Sequence, residues 1–108
     1  MLKTISPIDN SVFVERPYAT SSEIENALNL SDQTKLKWKN TSLSERKELV
    51  SKFVEDFLSN HKEIEEELCR QMGRPLLQCA GEMRGFEERA KYMIDNADKA
   101  LQKVISKN

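Results

Sequence analysis

The sequence predicts a mainly α fold, a four-helix segment preceded by a short β-hairpin. Three observations carry that reading: Ser/Thr-x-x-Glu helix-start signals, apolar residues recurring at steps of three and four, and a proline-flanked β-rich run ahead of the first helix. Three Gly and three Pro in 108 residues, with 32% charged, fit a folded helical chain and not a disordered one. This length holds one domain, so residues 1–108 form a single unit, with the hairpin expected over 5–18 and the helical region over 20–106.

The hairpin follows from Ile5-Ser6-Pro7-Ile8 and Val12-Phe13-Val14, with Asp9-Asn10 between them as residues that accept turn dihedrals. Pro7 and Pro17 cannot donate to a ladder, which places them at strand edges or ends and keeps each arm short.

Thr20 and Glu23 form a capping box that opens a helix running to about Lys39. Ile24, Ala27, Leu28 and Trp38 share its apolar face, which Ser31 and Lys35 interrupt, so weak packing is predicted for its second half. Ser42 and Glu45 repeat the signal before Leu49, Val50, Phe53, Val54, Phe57 and Leu58, the clearest amphipathic pattern in the chain. Asn60 and Glu63 are spaced for a third box, before Ile64, Leu68 and Met72. Gly73 supplies the left-handed residue that ends this helix, and Pro75 opens the next. The fourth helix is expected over 75–106, with an unbroken stripe of Cys79, Met83, Phe86, Ala90, Met93, Ala97, Ala100 and Val104.

Seventeen basic residues against eighteen acidic ones, interspersed along the chain, give a formal net charge of -1 and no field that would gather nucleic acid or anionic lipid. A nucleic-acid partner is therefore not expected. The sequence has no apolar run suited to a signal peptide or a membrane span, so the expected location is cytoplasmic, without a membrane partner.

Cys69 and Cys79 have neither a second pair nor a histidine at zinc-ligand spacing, so no metal site is expected and both read as reduced, core-packed thiols. A nucleophilic role would need a base or positive site beside the thiol. His61, the one histidine, sits at a helix junction beside Asn60, where an imidazole commonly faces water. The acidic runs around Glu63, Glu65, Glu66 and Glu67 and around Glu82, Glu87 and Glu88 read as solvated helix faces. Gly81 and Gly85 favour close helix packing over a phosphate cradle, because no strand precedes them.

The order of these features resembles the start of the aldehyde dehydrogenase superfamily. Ser6-Pro7-Ile8-Asp9-Asn10-Ser11-Val12 is similar to the family's Asn-Pro-x-x-Gly and strand, with Ser6 and Asn10 departing from it. Thr20, Glu23, Ala27, Trp38, Glu45 and Arg46 match the family's cap, Ala-rich helix, Trp and Glu-Arg in order, whereas Lys35 stands where an aromatic is usual. Leu68 to Glu82, with Gly73-Arg74-Pro75, matches the Leu-rich helix, Gly-Lys-Pro or Gly-Arg-Pro turn and Glu-rich helix that follow.

The resemblance implies that the chain is the N-terminal part of an NAD(P)-binding domain within an oxidoreductase that turns an aldehyde into a carboxylic acid through a cysteine thioester. Its catalytic Cys and Glu and its NAD or NADP site would lie downstream of Asn108. No catalytic, cofactor-binding or metal-ligating residue is therefore expected among these 108, and the aldehyde would be a substrate of the full enzyme alone. The family's monovalent-cation site would fall on the carbonyls of Thr4 and Ile5 and on Gln71, which stands where a carboxylate is needed, so no ion is expected there. An alternative is a stand-alone helical interaction module. Under either reading the long stripe of the fourth helix exceeds what four helices can bury, and self-association through exposed helix faces is expected.

Overall fold

The computed structural model describes residues 1–106. Two strands, β1 (Leu2–Ile5) and β2 (Val12–Arg16), precede four helices, α1 (Ser21–Lys39), α2 (Leu43–Ser59), α3 (His61–Met72) and α4 (Leu76–Ala100). The mainly α architecture with a leading hairpin is as the sequence predicts.

The hairpin itself is displaced toward the N-terminus. Its antiparallel register pairs Leu2 with Arg16, Thr4 with Val14 and Ile5 with Val12, with an irregularity between Thr4 and Ile5. Residues 6–10, expected in part to continue the first strand, close the turn instead. The Ser6 amide donates to Ser11 O at 2.8 Å and the Asn10 amide to Ser6 O at 2.9 Å. The Asp9 carboxylate accepts from the Ser11 amide and hydroxyl at 3.0 and 2.6 Å, and Asn10 takes φ 60°. These side-chain bonds hold the turn against extension.

Both predicted Ser/Thr capping boxes form. Thr20 Oγ1 accepts from the Glu23 amide while Glu23 returns a bond to the Thr20 amide, and Ser42 and Glu45 do the same. The Asn60 box does not. One residue separates α2 from α3, so Asn60 ends the first helix as well as starting the second. Its side-chain amide donates backward to Asp56 O at 2.9 Å, and its φ of -96° and ψ of 16° differ from the extended backbone of an N-cap.

The core runs along α4. That helix packs on both α3 and α2, with Cys79 at 0%, Met83 at 5% and Val54 at 3% exposure. Phe57 and Phe86 lie 4.6 Å apart between α2 and α4, and Lys47 pairs with Asp98 farther along the same seam. The predicted helix over 75–106 stops at Ala100, and Val104, the last member of the stripe, is fully exposed. No facing helix continues past that seam, and a helix turn without packing has little to hold it.

Much apolar surface is left uncovered. In α1 no residue is buried, and Ile24, Leu28 and Trp38 are all exposed, as are Val50, Phe53 and Met93 elsewhere. The accessible surface is 9496 Å², where a compact monomer of 12.5 kDa would expose about 6200 Å². The radius of gyration is 19.3 Å, against about 13 Å for a compact chain of this length.

Candidate functional site

The residues with chemical potential do not converge. Cys79 stands in the first turn of α4 with its sulfur sealed from solvent, and its thiol points at Arg74 O at 3.9 Å. That is a structural thiol, packed beneath the Gly73-Arg74-Pro75 turn. Cys69 is half-buried in α3. His61 is exposed at the start of α3, where Nδ1 lies 3.1 Å from Glu65 Oε1 on the same helix.

The acidic residues are engaged along their own helix faces. Glu66 accepts from Arg70 at 3.1 Å, Glu67 accepts from the Gln71 amide at 3.3 Å, and Glu82 pairs with Arg74 across the turn. Among the described residues no group of three or more His, Cys, Asp or Glu could hold a metal ion. At the positions of the possible cation site, Thr4 and Ile5 are taken up in the β1 ladder and Gln71 turns its amide toward Glu67.

The shifted ionisations are structural as well. The backbone amides of Thr20 and Ser42 hold the Glu23 and Glu45 carboxyls below the usual carboxylate range, aided by the cap hydroxyls. The Ser11 hydroxyl and amide lower Asp9, and the bond from Lys47 lowers Asp98.

The two strands pair with each other in antiparallel fashion, and β2 enters α1 through Pro17-Tyr18-Ala19-Thr20, where a phosphate cradle would need a glycine-bearing turn. Gly81 and Gly85 lie within α4, against the guanidinium groups of Arg84 and Arg89. An open cleft of about 230 Å³ is lined by Phe13, Glu63, Glu66, Glu67 and Arg70. Arg70 lies over the Phe13 ring at 5.9 Å and holds β2 to α3.

Two structural contacts escape sequence reasoning. Ser6, a polar turn residue, is 4% exposed, because the hairpin turn is seated on the end of α3. There Pro7 Cγ lies 2.7 Å from the place a Cβ on Gly73 would take. Arg46 donates to Thr41 O at 2.9 Å and to Thr41 Oγ1 at 3.1 Å, and lies 5.8 Å from the Trp38 ring centre. It fixes the elbow between α1 and α2. The order Trp-x-x-Thr-x-x-x-x-Arg held the second contact, but no periodicity announces it.

The geometry is that of a hairpin clasped to the turn between two helices, with one helix held off the body. The sequence profile of the aldehyde dehydrogenase family matches residues 1–108. The chain belongs to that family. It is 26% identical over 97 residues to an aldehyde dehydrogenase-like protein of Schizosaccharomyces pombe, covering 89% of this chain and 19% of that one. It is 28% identical over 75 residues to a Staphylococcus haemolyticus protein that carries an aldehyde dehydrogenase name, covering 69% of this chain and 16% of the relative. The chain thus spans less than a fifth of the length of either relative. No solved structure matches it.

Among the described residues no helix is long and apolar enough to cross a membrane.

Proposed function

We propose that these residues are the N-terminal part of the cofactor domain of an NAD(P)-dependent, cytoplasmic aldehyde dehydrogenase, and that the isolated chain is inert. The observation that carries this is the profile match over residues 1–108 by a chain whose two thiols sit apart, one of them sealed. In the whole enzyme the reading assigns this segment a structural role. The hairpin clasps the α3–α4 turn, and the uncovered helix faces pack on later parts of the same protein. The family's chemistry, oxidation of an aldehyde through a cysteine thioester, is left to residues that follow. Neither Cys69 nor Cys79 is the nucleophile in this reading.

The test is calorimetric titration of the 108-residue chain with NAD and NADP, with absorbance assays over a panel of aldehydes. No saturable binding and no cofactor reduction are expected. One-to-one binding tighter than about a millimolar, or turnover abolished by Cys69→Ser, would overturn it.

A further inference from the structure

We draw no further inference here: the strongest candidate, the uncovered face between α2 and α4 around Val50, Phe86 and Met93, has Arg46, Lys47 and Arg89 in its lining, and nothing in the structure shows what covers it.

Discussion

Pro7 and Gly73 occupy each other's space: the proline ring fills the position that any β-carbon at Gly73 would need. Gly73 is also left-handed, at φ 69°, and its amide closes α3 on Cys69 O at 2.9 Å. Backbone conformation and packing thus both demand glycine there. Gly73→Ala should lower stability by about 1–2 kcal/mol for the left-handed backbone alone, with a further loss from the clash. In a double-mutant cycle with Pro7→Ala, which removes the ring, the clash part should vanish and the losses should be less than additive. Urea unfolding of the four chains measures this, and strict additivity would contradict the contact.

The two caps make a paired comparison. Ser42 bonds the Glu45 amide at 3.1 Å and is answered by Glu45 at 2.7 Å, so Ser42→Ala should cost about 1 kcal/mol. Asn60 makes no such bond to α3, so Asn60→Ala should cost clearly less. Thermal melts of the two variants check the order, and equal losses would count against it.

Acid should loosen the helix starts. Glu23 and Glu45 have folded-state pKa values below their unfolded ones, so their contribution is present above the ordinary carboxylate range and is lost as pH falls through the lowered values. Helicity by circular dichroism should be level from neutral pH to about 5 and fall below about 4. Glu45→Gln should flatten that acid limb, because its amide has no charge to lose.

Cys79 should be protected and Cys69 should not. With Cys79 at 0% exposure, a thiol reagent reaches it only when α4 lifts from the Arg74 turn, so labelling should follow two phases with Cys69 first. Cys79→Ser should cost about 1–3 kcal/mol, as the hydroxyl is a more demanding group to bury than the thiol. Equal labelling rates in the folded chain would rule this out.

Much of the fold was legible because it is local. The Thr20 and Ser42 boxes and the left-handed Gly73 declare themselves within a few residues, and the apolar pairs of α2 mark the face that packs. Asn60 misled because spacing cannot reveal that two helices share one junction residue. The end of α4 at Ala100 was likewise hidden, since the stripe continues in sequence past the point where its neighbour stops. The seat of Pro7 on Gly73 depends on chain topology, which no short pattern encodes. For the candidate site, the scattering of Cys69, Cys79 and His61 could be suspected from their separate contexts, whereas the exposure of Met93 had to be seen.

Helix α1 is joined to the rest at both ends, through 17–20 to the hairpin and through the Arg46–Thr41 elbow to α2, while none of its own residues is buried. Its amides should therefore be the first of the helical set to trade hydrogen with solvent, ahead of those in α4. The weakest stretch of secondary structure lies inside the chain and not at a terminus. A protease that cuts there will leave two pieces, one carrying the hairpin and one the α2–α4 body.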